Sequence, residues 1–131
     1  MNNGDRNGLI WNAGYVWYDG TTGVFPDWVQ VTFNGQKSIS EIDVFFMQDA
    51  YTAPVVPTTS MTFTKYGMKD FDVQYWNGTA WVTVTGGSII GNNLIWRTIT
   101  FPAVTTDRIR VVANKGVDGY TRVVEIEAYG N

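Results

Sequence analysis

The sequence predicts an all-β domain, built as a sandwich or barrel of antiparallel strands. Apolar and polar residues alternate with a period of two along most of the chain, and no segment shows the spacing of an amphipathic helix. Turn signals such as Asn-Gly separate the alternating segments. The 14 glycines and an aromatic fraction of 15% fit this class, because tight turns and large flat side chains are typical of β-rich domains. A length of 131 residues predicts a single domain, residues 1–131.

The alternating segments give the predicted strands in chain order: 28–33, 39–47, 71–76, 81–84, 94–101, 108–113 and 122–129. Asn34-Gly35 predicts a turn that ends the first strand. Asn77-Gly78 predicts a type I′ hairpin, in which both central residues have a positive φ. The stretches 12–27 and 48–68 do not alternate and are rich in Gly, Pro or Thr beside aromatic residues. Long loops of this kind in a small domain predict binding loops.

The residue types that are missing exclude most routes to catalysis. The chain has no Cys and no His, which excludes disulfides, thiolate nucleophiles, Cys-type zinc sites and Ser-His-Asp triads. A net charge of −3 argues against nucleic acid, whose affinity depends on Lys and Arg. Carboxylate pairs remain, but Glu41/Asp43 and Glu125/Glu127 alternate along strands and are interpreted as solvent-facing. We therefore expect no enzymatic activity.

Neither a membrane helix nor a signal peptide is expected in this sequence. No apolar run approaches the roughly 18 residues that a membrane-spanning helix needs. The opening MNNGDRNG has neither a basic segment nor an apolar one, so it does not read as a signal peptide. A membrane surface is also not expected as a partner, because the apolar Val55-Val56 has no basic cluster beside it.

Six motifs in order resemble the discoidin-like, coagulation factor C-type domains, a group that includes the family 32 carbohydrate-binding modules. The opening NNGDRNGLIW is similar to the family's Asp-Gly loop with its following Trp. The other motifs are FPDWVQVTFNG, SISEIDVFF, FDVQYWNGTAWVTV, TTDRIRVVAN and RVVEIEAYG. The resemblance covers nearly the whole chain.

The resemblance implies a galactose-binding-like jelly-roll sandwich that binds a sugar through loops at one end. It implies a non-catalytic module attached to a larger, secreted bacterial protein that acts on glycosides, with an extracellular or cell-surface location. The alternative is a protein-interaction or cell-adhesion module of the same fold. The family's usual first strand precedes the Asp-Gly loop, where this chain begins. Either the given sequence omits that strand or the sandwich lacks it, and a sandwich that lacks it has an unpaired edge through which two copies can pair as a homodimer.

The sugar site is expected on the loops, because a pyranose ring needs an aromatic side chain for its C–H face and polar groups for its hydroxyls. Mapping the family's loop positions onto this chain nominates ten residues: Trp17, Tyr18, Gln48, Asp49, Tyr51, Lys65, Tyr66, Lys115, Asp118 and Tyr120.

Structural roles remain open for several of these residues. Trp17 and Tyr66 are equally well interpreted as core residues. Gln48 and Asp49 together are equally well explained as a capping turn. The lysines are typical of solvated positions.

The resemblance also implies a structural calcium ion between the opening loop and the closing strand. Calcium prefers six to eight oxygen ligands from carboxylates, amides and carbonyls. The candidates by position are Asn3, Asp5, Asn7 and Glu125. The alternative is a turn-rich loop that holds no metal.

Side chains inside the predicted strands are interpreted as structural. Three tryptophans are expected to pack rather than to bind ligand: Trp28, Trp81 and Trp96. Arg108 and Arg110 are two residues apart and share one strand face. That face is either solvent-exposed or paired with Glu125 and Glu127, and the salt-bridged arrangement is favoured.

Overall fold

A computed structural model describes residues 17–18, 26–49, 53, 56–117 and 122–130, and these form seven strands and no helix. The predicted all-β class is therefore confirmed. No helix in these ranges is long and apolar enough to cross a membrane. The strands are β1 (Trp17–Tyr18), β2 (Asp27–Phe45), β3 (Met68–Trp76), β4 (Trp81–Ile89), β5 (Trp96–Gly116), β6 (Arg122–Val123) and β7 (Glu125–Tyr129).

Five of these strands form one antiparallel sheet in the order β4-β3-β5-β2-β7, and β1 pairs with β6. The two long strands β2 and β5 pair with each other from Asp27 opposite Ala113 to Phe45 opposite Trp96. Strand β3 pairs with the second part of β5, and β7 pairs with the last part of β2. Four strands (β4, β3, residues 108–116 and residues 27–33) therefore form one region, the four-stranded layer. Residues 96–104, residues 39–45 and β7 form the three-stranded layer.

The two layers share one core. Side chains alternate along each strand, so that every second residue faces inward. Val29 and Val111 of the four-stranded layer belong to the same buried cluster as Ile42 and Ile99 of the three-stranded layer. Phe46, which follows β2, packs edge-on against Phe71 and lies in the same cluster. Burial of these apolar side chains is the main force that holds the layers together.

β2 passes from one layer to the other through a wide bulge. Thr32 is opposite Arg108 and Lys37 is opposite Thr106, so residues 33–36 face a single residue of β5. Gly35 has a φ of 89° within this bulge. The prediction that Asn34-Gly35 ends a strand is wrong, because the chain keeps the same partner strand after the bulge. The predicted strands 94–101 and 108–113 are likewise parts of one strand, β5.

The predicted hairpin at Asn77-Gly78 is present, but its turn type differs from the prediction. Four residues connect Trp76 to Trp81, and only Gly78 among them has a positive φ, of 103°. The Asn77 side-chain oxygen accepts hydrogen bonds from the N–H groups of Thr79 and Ala80 and from the Thr79 hydroxyl. Asn77 therefore caps the loop with its side chain, and its backbone does not need the left-handed conformation of a type I′ turn.

A second wide bulge interrupts β4. Asp72 is opposite Ser88 and Gln74 is opposite Thr83, so four residues of β4 face Val73 alone. Gly86 in this bulge has a φ of 75°. A Cβ atom on Gly87 would lie 2.9 Å from the Val73 carbonyl oxygen and 2.6 Å from a Val84 methyl carbon. The bulge therefore requires glycine at position 87.

We expect Gly87→Ala to destabilise the fold by about 1–3 kcal/mol, because the added methyl group overpacks against backbone atoms. Urea unfolding checks this: the variant should unfold at a lower midpoint urea concentration, while the dependence of the unfolding free energy on urea stays unchanged. Ser88→Ala, at the exposed neighbouring position, is the control and should unfold like the wild-type protein. Equal midpoints for Gly87→Ala and the wild type would contradict the close approach.

Candidate functional site

Five chain segments meet at one end of the sandwich, which we name the loop end: residues 17–18, 46–49, 64–67, 115–117 and 122–124. Strand pairing places Trp17 opposite Val123. The Val124 N–H donates to the Phe45 carbonyl at 2.8 Å, which joins the segment after β6 to the end of β2. The Val117 N–H donates to the carbonyl of residue 67 at 3.2 Å.

Asp49 fixes the loop that contains Lys65. Its carboxylate accepts the Thr64 N–H at 2.9 Å, the Thr64 hydroxyl at 2.9 Å and the Lys65 N–H at 2.8 Å. Partial burial acts to raise the pKa of Asp49, but these hydrogen bonds outweigh it and hold the pKa below its ordinary value. The carboxylate therefore stays ionised and holds the 64–65 backbone in one conformation.

Tyr66, within the loop end, packs against a small apolar cluster on the outer face of the three-stranded layer. The cluster contains Phe45, Met47 and Val124, with Tyr66 and Trp96 packed against it. The guanidinium carbon of Arg122 lies 5.3 Å from the centre of the Tyr66 ring, which is the geometry of a cation–π contact. Tyr66 is half-buried, so its ring helps to hold the loop and still borders solvent.

The other nominated residues differ in exposure. Gln48 is buried, with 6% of its surface exposed, whereas Lys65 and Lys115 are exposed. The structure therefore brings Asp49 and Lys65 together and places Tyr66 beside Arg122, which pairs with Tyr18 of β1. Gln48 precedes Asp49 in the chain. Lys115 lies two residues before Val117, whose N–H bonds to the carbonyl of residue 67. Tyr51, Asp118 and Tyr120 lie outside the described residues. Trp17 and Tyr18 are placed by their backbone pairing with β6.

Of the calcium candidates, only Glu125 lies within the described residues. Its side chain is buried, with 1% of its surface exposed, at the start of β7 opposite Phe45. A buried carboxylate is costly unless polar or charged groups compensate it. The described ranges contain no group of three or more acidic residues arranged to hold a metal ion. Asn3, Asp5 and Asn7 lie outside those ranges.

The interpretation of the strand carboxylates as solvent-facing is wrong for Asp43 and Glu125. Asp43 faces outward from the core but is only 3% exposed, because the Trp96 indole lies against it and donates its N–H to Oδ2 at 3.2 Å. Burial, helped by the neighbouring charge of Glu41, raises the pKa of Asp43 to about 6. Alternation alone did not reveal this, since it identifies the face of a strand but not what covers that face.

Asp43→Asn should remove a pH-dependent cost of folding. The ordinary pKa of the carboxyl is 3.8 and its folded pKa is about 6, so folding penalises the ionised form. Stability therefore falls as the pH rises from about 4 to about 7. We expect the Asn variant to be about 2 kcal/mol more stable than the wild type at pH 8 and similar to it at pH 4.

Urea unfolding at both pH values measures this difference. The Asn side chain retains an oxygen that can accept the Trp96 N–H, so the variant changes the charge and keeps the contact. A constant difference between variant and wild type at pH 4 and pH 8 would contradict the raised pKa.

The interpretation of the strand tryptophans is wrong for Trp28, which leaves 54% of its surface exposed. Trp96 packs as expected, with its ring 5.0 Å from that of Phe45. The favoured pairing of the strand arginines with Glu125 and Glu127 is also wrong. Arg108 pairs with Asp107 at 2.9 Å, and Arg110 donates to Gln74 at 2.7 Å.

Comparison with known proteins agrees with this architecture. A family model described as a NedA-like, galactose-binding domain, of the F5/F8 type C group, matches residues 1–111. No curated protein sequence gives a match to the chain.

Solved structures with the same fold include several sugar-binding modules. A fucose binding module from Streptococcus pneumoniae gives a TM-score of 0.68 at 18% identity, covering 98% of this chain and 79% of that one. Chitosan-binding module 2 from a Paenibacillus sp. IK-5 chitosanase/glucanase, in complex with chitotriose, gives a TM-score of 0.67 at 23% identity. The match covers 98% of this chain and 87% of that one. The family 32 module from C. perfringens NanJ, in complex with galactose, gives a TM-score of 0.60 at 19% identity. The match covers 86% of this chain and 74% of that one. The predicted galactose-binding-like jelly roll is confirmed.

Proposed function

This chain belongs to the NedA-like, galactose-binding domain family, and from that premise we propose that it is a non-catalytic carbohydrate-binding module with its sugar site at the loop end. The observation that carries the proposal is the convergence there of the segments that hold the nominated residues. The sugars named for the similar structures are fucose, chitotriose and galactose, which supports a sugar as the ligand class.

The loop end has the parts that sugar recognition needs. An exposed Lys65 borders a half-buried Tyr66, and Asp49 holds the backbone between residues 64 and 65. A loop fixed before binding loses little conformational entropy when a ligand arrives. One stacked ring and a few hydrogen bonds to hydroxyls give weak affinity, in the range of about 1 μM to 1 mM.

We place this module in a larger secreted bacterial protein, where it would hold a glycoside-active partner domain close to its polysaccharide. Weak binding suits that role, because several modules on one chain raise the overall affinity by avidity. The edge-mediated homodimer also remains a proposal, and β4 and β7 are the edges of the described five-stranded sheet. Light scattering at high concentration tests it, and a monomer would exclude it.

A glycan-array screen followed by titration calorimetry tests the sugar site. Lys65→Ala and Trp17→Ala should each lower the affinity for the sugar found by at least about five-fold, while the melting temperature holds. Lys37→Ala is the matched control, because Lys37 is an exposed lysine that directly follows the β2 bulge at the opposite end of the sandwich. A folded protein that binds no sugar on a broad array would contradict the proposal and favour a protein partner.

We further propose that calcium, held by Asn3, Asp5, Asn7 and Glu125, ties the opening segment to β7. The donor chemistry fits, because carboxylate and amide oxygens are the ligands that calcium prefers. Calcium should raise the melting temperature by several degrees relative to a chelator, since an ion that binds only the folded state stabilises it. Glu125→Gln should abolish that difference. An equal melting temperature in calcium and in chelator would contradict the ion site.

A further inference from the structure

The outer face of the four-stranded layer carries planar side chains on neighbouring strands. Residues opposite each other in an antiparallel pair share one face, with Cβ atoms about 5 Å apart. Register therefore aligns one row across all four strands: Gln30, Arg110, Gln74 and Thr83. The flanking residues of these strands, such as Val29, Val73 and Val111, point into the core. The row consequently lies on the side turned away from the core.

Three indoles lie on this face beside that row. Trp28 on β2 is 54% exposed, and Trp76 on β3 faces Trp81 on β4 with ring centres 5.6 Å apart. Both of the latter are half-buried and border solvent. A large aromatic side chain that stays exposed on a folded domain is informative, because burying it would be favourable.

Arg110 lies between the indoles of the two outer strands. Its guanidinium carbon is 4.4 Å from the Trp81 ring centre and 5.7 Å from that of Trp28. Its Nε donates to the Gln74 side chain at 2.7 Å. Within the described part of the chain, its terminal N–H groups have no acceptor, so they remain available for a ligand. We name the three indoles together with Arg110 the Trp–Arg face.

Charges at this face are nearly balanced. Arg108 lies over Trp76 at 5.4 Å and is paired in a two-bond contact with Asp107. Arg110 has a neutral partner, Gln74, and Asp72 accepts a hydrogen bond from Asn114. A ligand with many charges of either sign would therefore find little electrostatic complementarity here.

We propose that the Trp–Arg face is a second sugar-binding surface, which takes an uncharged polysaccharide chain lying across the strands from β4 to β2. These strands are three spacings apart, about 14 Å at 4.7–4.9 Å per spacing, a width that suits an oligosaccharide better than a single ring. The C–H faces of the rings stack on the indoles, and the hydroxyls bond Arg110 and the glutamine amides.

Other occupants fit the face less well. Nucleic acid requires several free cations, and this chain has a net charge of −3. A second copy docked by a twofold axis would bring Arg110 close to its own symmetry mate in a desolvated interface. Protein interfaces are also enriched in Trp and Arg, but their buried centre is apolar. The row through the centre of this face is polar throughout (Gln30, Arg110, Gln74 and Thr83), which suits the hydroxyl groups of a sugar better.

The Trp–Arg face is separate from the loop end. The inference rests on the proposed function only for the class of ligand, a sugar. Affinity electrophoresis of the full chain tests it, with gels containing soluble arabinoxylan, mixed-linkage β-glucan or galactomannan as uncharged probes. Trp28→Ala and Trp81→Ala should each weaken binding to at least one uncharged polysaccharide by about ten-fold. Trp28→Ala should cause the same loss when it is introduced into a Lys65→Ala background, because the two surfaces are separate.

Tyr129→Ala is the matched control, since Tyr129 is an exposed aromatic residue (42%) on β7. It should bind the polysaccharides like the wild type. Oxidation of the wild-type protein by N-bromosuccinimide gives a measurement that does not depend on folding of a variant. Mass spectrometry should show Trp28 and Trp81 protected by the polysaccharide and not by monosaccharides.

Each result decides between the two sites. If Trp28→Ala and Trp81→Ala bind like the wild type while Lys65→Ala loses all binding, the inference is overturned and the loop-end site stands. If the Trp variants lose polysaccharide binding but still bind small sugars on the glycan array, the result supports two sites. Absence of binding to every uncharged polysaccharide overturns the inference. The inference is also overturned if light scattering shows a dimer that depends on Trp28, or if a single-stranded oligonucleotide binds more tightly than the polysaccharides.

Discussion

The pairing of β2 with β5 is the constraint on which the rest of the structure depends. These two strands stay hydrogen-bonded from one layer into the other, so the same pair supplies the middle of both. β3 and β4 are added on one side in the first layer, and β7 is added on the other side in the second. The bulge around Gly35 allows this change of layer, because a bulge bends the strand and resets its register. Without it, β2 would present one continuous flat face.

The loops inherit their positions from these strand ends. β2 ends at Phe45, and the Val124 N–H bonds to its carbonyl, so the chain after β6 is attached to the central pair. Asp49 then ties residues 64 and 65 to the segment that follows β2. The proposed sugar site is thus built on rigid elements. The proposed Trp–Arg face instead uses side chains of the strands themselves, where register fixes their spacing.

The sequence was sufficient to predict the all-β class and most strand positions, because alternation directly reflects which residues point inward. It did not predict β1, which lies within the stretch expected to be a loop. The prediction that Asn34-Gly35 ends a strand was wrong, because the positive φ of Gly35 occurs in a bulge as well as in a hairpin turn. Alternation also does not show what covers the outer side of a sheet. Asp43 is buried there by Trp96, while Trp28 on the other layer is left bare. Packing between distant parts of the chain decides both outcomes, and no local pattern records it.

The same reasoning explains why the loop residues were nominated by likeness and not by pattern. Asp49 is one acidic residue among twelve, and its three donors come from a loop far along the chain. Tyr66 is likewise distinguished by its contact with Arg122 and by the apolar cluster beneath it. Only the folded chain brings these groups together.

The long β2–β5 pair also determines how this domain reaches its native state. Even its closest partners in sequence, Phe45 and Trp96, are separated by β3, β4 and the hairpin between them. The centre of the sheet therefore forms only after a large loop has closed, and chains rich in such distant pairings fold slowly. During synthesis, the described residues of the first half of the chain offer β2 no partner until β5 has left the ribosome. Until then, the local hairpin of β3 and β4 is the one part of the described sheet whose strands can pair as neighbours along the chain.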